Sequence, residues 1–99
     1  MKEKLSKNEM KQLCRAVLSL KSESECERFF EDLCTMSELK AMSQRLEVAL
    51  MLSEKRVYSD ISASTGASTA TISRVNRCLQ YGSSGYSIAL KRMREDMNE

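Results

Sequence analysis

At 99 residues the chain has room for one domain and too little to bury a large core alone, so pairing with a second copy is a natural route to further burial. It has no proline, three glycines (Gly66, Gly82 and Gly85) and 5% aromatic residues, with no sustained two-residue alternation. This excludes a strand-rich fold and predicts an all-α one. The formal net charge of +2 does not by itself announce a nucleic-acid binder, so any such face must come from local clustering of lysine and arginine.

Other classes are excluded by what is missing. No apolar run is long enough for a bilayer, and the opening MKEKLSKNEM lacks the apolar core of a secretory signal, so a cytoplasmic protein without membrane contact is expected. Cys14, Cys26, Cys34 and Cys78 form no C-x-x-C pair and the chain has no histidine. Neither a zinc site nor a redox motif is supported, and buried, reduced thiols are expected. With no histidine base and no catalytic arrangement of serine, cysteine or carboxylates, an enzyme is not expected, nor a cofactor.

The first helix is predicted near residues 7 to 21. Ser6 and Glu9 form a capping box, and Met10, Leu13, Cys14, Val17 and Leu18 follow at helical spacing. Ser22 and Glu25 repeat the cap before a short second helix with Cys26, Phe29, Phe30, Leu33 and Cys34. These two stripes fit a monomeric core and a dimer interface equally well. Thr35 and Glu38 open a third helix from about Met36 to Glu54, whose LEVALMLS segment is apolar around most of its circumference. Val48, Met51 and Leu52 there add a second apolar face to that of Leu39, Met42, Leu46, Ala49 and Leu50, which predicts a partner subunit.

The segment Tyr58 to Arg77, YSDISASTGASTATISRVNR, has the spacing of a helix-turn-helix. Gly66 supplies the left-handed residue that ends the first helix, and Ser68 is the N-cap of the second, accepting from the N–H of Ala70 or Thr71. Ile72, Val75 and Leu79 should pack against Ile61, leaving Thr69, Ala70, Ser73, Arg74 and Arg77 outward. Small residues let a helix end approach base edges in the major groove, and the two arginines reach phosphates or a guanine edge. Backbone N–H groups near Ser68 and Thr69 fit phosphate. Gly82 follows the helix end, and a last helix is expected from about Ser84 to Met97, with Tyr86, Ala89, Leu90, Met93 and Met97 closing over the reading unit or joining a dimer. The trailing REDMNE is expected to fray. One domain thus comprises dimerisation helices (1–55), helix-turn-helix (56–81) and C-terminal helix (82–99).

Across Met42 to Leu52 (MSQRLEVALML) and Thr65 to Tyr86 (TGASTATISRVNRCLQYGSSGY) the chain resembles the Trp repressor superfamily, most closely its Trp-repressor-like YerC/YecD branch. The resemblance implies six helices, an intertwined homodimer and a repressor of transcription that binds double-stranded DNA at a palindromic operator. It implies phosphate contacts for Gln44 and Arg45. Ser62 departs from the alanine usual at this inter-helix position, and its hydroxyl is free to bond back to the preceding turn. In tryptophan-responsive members two arginines hold the amino acid, and the matching positions are Arg45 and Arg74. A glycine beside the second is Val75 here, and a ligand-contacting serine is Cys78, a weak hydrogen-bond partner. Overpacking by a valine costs about 1–3 kcal/mol. Tryptophan is therefore not expected as corepressor, and a pocket of Arg45, Arg74 and Cys78 is left for another small-molecule effector. The alternatives to an unliganded repressor are such a ligand-gated regulator, or a protein-interaction adaptor that has lost DNA binding.

Overall fold

The computed structural model describes residues 4–97, which form six helices and no strand: α1 (Lys7–Leu18), α2 (Glu23–Leu33), α3 (Met36–Ser53), α4 (Tyr58–Thr65), α5 (Thr69–Tyr81) and α6 (Gly85–Met97). The chain divides into two units, Met1–Leu39 and Lys40–Glu99. The first residues of the opening MKEKLSKNEM and the last two of REDMNE lie outside the described residues, and α6 stays helical through Met97.

In the first unit, side chains fix where helices start. Ser6 Oγ accepts from the Glu9 N–H at 3.1 Å, and Glu9 Oε1 accepts from the Ser6 N–H at 3.0 Å. Thr35 and Glu38 make the same reciprocal pair at 3.1 and 2.8 Å. At α2 the box is displaced: Ser22 Oγ accepts from Glu25 N–H, but Glu25 Oε1 reaches past it to the N–H of Lys21 at 2.9 Å. Each bond satisfies a backbone donor that the helix cannot.

Two of these carboxylates carry a pH signature. Glu9 and Glu38 are held below the usual value of 4.5, first by the backbone N–H of Ser6 and Thr35 and then by the hydroxyls of the same residues. A carboxylate lowered in the folded state contributes stability above its unfolded value and loses it as pH falls through the folded one. The N-terminal turns of α1 and α3 are expected to loosen below pH 4.5. An NMR titration of the Glu9 side chain checks this: its midpoint should lie below 4.5 and move upward in Ser6→Ala.

No residue of α1 or α2 is buried. Leu18 is 82% exposed and Leu33 53%, and Leu5, Met10, Leu13 and Val17 are also open to solvent. Phe29 and Phe30 meet edge-to-face, ring centroids 5.6 Å apart. The unit thus carries the helical stripes that its sequence announces without enclosing them.

The second unit has a closed core. Val48, Ala49 and Met51 of α3, Ile61 of α4, Ala67 of the turn, Ile72 and Val75 of α5 and Leu90 of α6 are all buried, with Leu50, Leu52, Leu79 and Tyr86 packed against them. This corrects the expectation for α3. Val48 and Met51, assigned from sequence to a second face for a partner, fill this chain's own core because α4 and α5 fold onto them, whereas Met42 and Leu46 stay exposed. Of the α6 stripe, Leu90 enters the core and Tyr86 lies half-buried, while Ala89, Met93 and Met97 remain exposed.

The end of α3 uses an unexpected residue. Lys55 has φ 63°, with the Lys55 N–H donating to Leu52 O and the Arg56 N–H to Met51 O, a Schellman ending built without glycine. A guanidinium N–H of Arg94 donates to Ser53 Oγ, so α6 is tied to the last turn of α3.

The cysteines also differ from expectation. All four are free thiols, but in the single chain Cys14 and Cys78 are exposed and Cys26 and Cys34 half-exposed.

Candidate nucleic-acid interface

The reading unit is assembled by its turn. Gly66 has φ 74° and its N–H donates to Ser62 O at 2.9 Å, so α4 ends in the left-handed residue that the sequence places there. A β-carbon built at Gly66 would meet nothing within 4 Å; what selects glycine is the backbone angle, not space. Ser68 then caps α5, its Oγ accepting from the Thr71 N–H at 3.1 Å.

Four further bonds fasten this turn. Thr65 Oγ1 donates to Ile61 O at 2.7 Å and accepts from the Ala67 N–H at 3.1 Å. Ser62 Oγ donates to Ala67 O at 3.0 Å, so its hydroxyl bonds forward across the turn and not back into its own helix. Gln44 Nε2 donates to Thr65 O at 3.1 Å.

On α5, Ile72 and Val75 face the core while Thr69, Ala70, Ser73, Arg74 and Arg77 are exposed, as is the capping Ser68. The split follows from 3.6-residue periodicity, since positions 72, 75 and 79 share one stripe. Asn76 bridges on the flank, its Nδ2 donating to Tyr58 Oη at 3.4 Å and its Oδ1 accepting from Gln80 Nε2 at 3.4 Å. The helix closes at Gly82, where an added β-carbon would lie 2.4 Å from Cys78 O. Only glycine lets the chain pass that carbonyl so closely.

The net charge hides a local asymmetry. From Ile61 to Arg94 the chain has no carboxylate, but it has Arg74, Arg77, Lys91, Arg92 and Arg94. Asp60, just before this stretch, lies 3.8 Å from Arg56, where two half-exposed side chains exchange little energy. All of α5 therefore lies in an acid-free segment, and no carboxylate on that helix competes with a phosphate for its arginines. Whole-chain charge misses this signal, and a windowed charge count finds it.

The residues proposed for a small-molecule pocket are placed differently. Arg45 is half-buried on α3, Arg74 and Cys78 are exposed on α5, and Val75 is 1% exposed within the core. Cys78 lines a cleft of about 430 Å³ with Gly82, Ser83, Gly85 and Tyr86, and neither arginine lines it. Among the described residues no group of histidine, cysteine or carboxylate side chains is arranged to hold a metal, and no helix is long and apolar enough to cross a membrane.

Comparison with known proteins agrees with this architecture. The uncharacterized protein YerC of Bacillus subtilis (strain 168) is 54% identical over 97 residues, which is 98% of this chain and 93% of YerC. The crystal structure of a TrpR-like protein from Eubacterium eligens ATCC 27750 superposes with a TM-score of 0.81 at 57% identity, covering 84% of this chain and 86% of that one. A candidate Trp repressor from Staphylococcus aureus gives 0.82 at 47% identity, covering 86% and 85%. The family model described as Trp repressor protein matches residues 8–94, from the first turn of α1 to the Arg94 that ties α6 to α3. Such a match spans both units and the turn between α4 and α5, and it suggests a DNA-binding regulator: the chain belongs to the Trp repressor family.

Proposed function

We propose that this protein is a homodimeric transcriptional repressor that reads a palindromic site in double-stranded DNA without tryptophan. The observation that carries the reading is the two-sided α5: Ile72 and Val75 anchor it, and Ser68, Thr69, Ala70, Ser73, Arg74 and Arg77 form an exposed face without a carboxylate. Thr69, Ala70 and Ser73, near the helix N-terminus, meet base edges, where a hydroxyl bonds a donor or acceptor and a methyl packs on thymine. Arg74, Arg77 and Arg45 neutralise phosphates, and the N–H groups at Ser68 and Thr69 fix register.

The homodimer rests on the first unit. Apolar stripes with no buried residue in α1 or α2 do not offset the entropy of ordering two helices, and a second copy supplies the missing contacts. Two-fold symmetry then sets the reading helices roughly 34 Å apart, one turn of duplex. The absence of tryptophan control rests on Val75, whose branched side chain belongs to the core, and on Cys78.

Affinity for a duplex measured from low to moderate salt tests DNA binding. Arg45, Arg74 and Arg77 from two protomers give a log–log slope of about −5 to −6, at roughly 0.9 per displaced phosphate contact. A flat response would favour an adaptor that binds protein. Sedimentation of the same sample should give a dimer, and a monomer at all concentrations contradicts the symmetric reading.

A further inference from the structure

We infer that Gln44 is a positioning residue that sets the aim of α5, and not a phosphate contact; this rests on the DNA-reading function proposed above. Gln44 lies half-buried on α3, and its Nε2 donates to the carbonyl of Thr65, 21 positions along the chain. Thr65 is the last residue of α4, so its carbonyl is one that the helix leaves without an internal partner. The other bonds at this turn, Thr65 to Ile61 and Ala67, Ser62 to Ala67 and Gly66 to Ser62, all close within the α4–α5 hairpin. The Gln44 bond is different in kind because it ties the turn to α3. Swinging the amide outward to a phosphate would break it and strand a part-buried carbonyl.

The consequence for recognition follows from lever and distance. α5 begins at Thr69, four residues beyond the clamped carbonyl, so a small tilt at Thr65 is carried into Thr69, Ala70 and Ser73. Short side chains on base edges lose their bonds within a few tenths of an ångström, whereas long arginines follow a displaced phosphate. Loss of Gln44 therefore lowers discrimination between sequences more than it lowers affinity for DNA in general.

Two substitutions test this, Gln44→Met, of similar length without a donor, and Gln44→Glu, which turns an acceptor on the carbonyl. In the DNA-free protein, amide exchange at Gly66 and Ala67 is expected to rise about five- to ten-fold while that of Val75 stays unchanged. In Gln44→Glu the protection should return below the carboxyl's titration range, where the neutral acid donates again. On DNA, the ratio of affinity for a selected site over random duplex should fall about ten-fold, with random-duplex affinity changed less than two-fold. Unaltered exchange at the turn with an equal loss on both duplexes would overturn the assignment in favour of a phosphate contact. An even loss of protection at all amides would overturn it in favour of a bulk stability role. The exchange readout needs no DNA, so a wild-type protein without sequence preference would count against the proposed function and leave the clamp measurable.

Discussion

Ile72→Ala is expected to destabilise the second unit by about 2–5 kcal/mol, the range for removing a large aliphatic side chain from a closed core. Ile72 is fully buried, as are Ile61 of α4 and Val48 of α3 in the same cluster, so a void there has walls on several helices and cannot collapse cheaply. Small domains hold about 5–15 kcal/mol in total, so the loss takes a large share. Urea unfolding should show a lower midpoint with an unchanged slope. A change under 1 kcal/mol would mean that α5 is not anchored through this residue. The variant should also fail on every DNA sequence, since the presenting helix is lost with its anchor.

Thr69→Ala and Arg74→Ala are expected to separate two kinds of contact on the exposed face of the same helix. Thr69→Ala should weaken a selected site by about 1–3 kcal/mol, roughly 5- to 160-fold, and leave random duplex nearly unaffected, because a base-edge contact carries sequence information. Arg74→Ala should lower both affinities and reduce the salt slope by about 1 per protomer, because a phosphate contact carries charge alone. Both residues are solvent-exposed, so neither change should move the unfolding midpoint by more than about 0.5 kcal/mol. Fluorescence anisotropy on matched duplexes at two salt concentrations distinguishes the two patterns. Equal loss on both duplexes for Thr69→Ala would make it a register contact only.

Much of this architecture was legible because local chemistry dictates it. Ser6–Glu9 and Thr35–Glu38 mark helix starts through bonds that need only neighbouring residues, and Gly66 marks the turn through an angle that other residues pay to adopt. The division of α5 into buried Ile72 and Val75 and exposed Thr69, Ser73 and Arg74 follows from helical periodicity alone. The end of α3 was less legible, since Lys55 takes the left-handed angle without the glycine that usually signals it.

What the sequence could not disclose depends on contacts between distant residues. The apolar surplus of α3 read as a partner surface, yet which of its faces α4 and α5 cover is a tertiary fact, and they cover Val48 and Met51. The bond from Gln44 to Thr65 has no local signature, and the phosphate contact expected of Gln44 rests on the family resemblance. The exposure of Cys78 is a fact of the same kind, as helical spacing alone does not say which flank of α5 the fold encloses. The acid-free stretch from Ile61 to Arg94 was present in the sequence throughout and was hidden by a whole-chain charge of +2.

Selection of bound sequences from a random duplex library, with purified protein and no added ligand, tests the central claim most directly. The account predicts enrichment of one palindrome whose half-sites lie about one helical turn apart, lost in Thr69→Ala. No enrichment, or enrichment only after a small molecule is supplied, would contradict a ligand-independent reader of DNA.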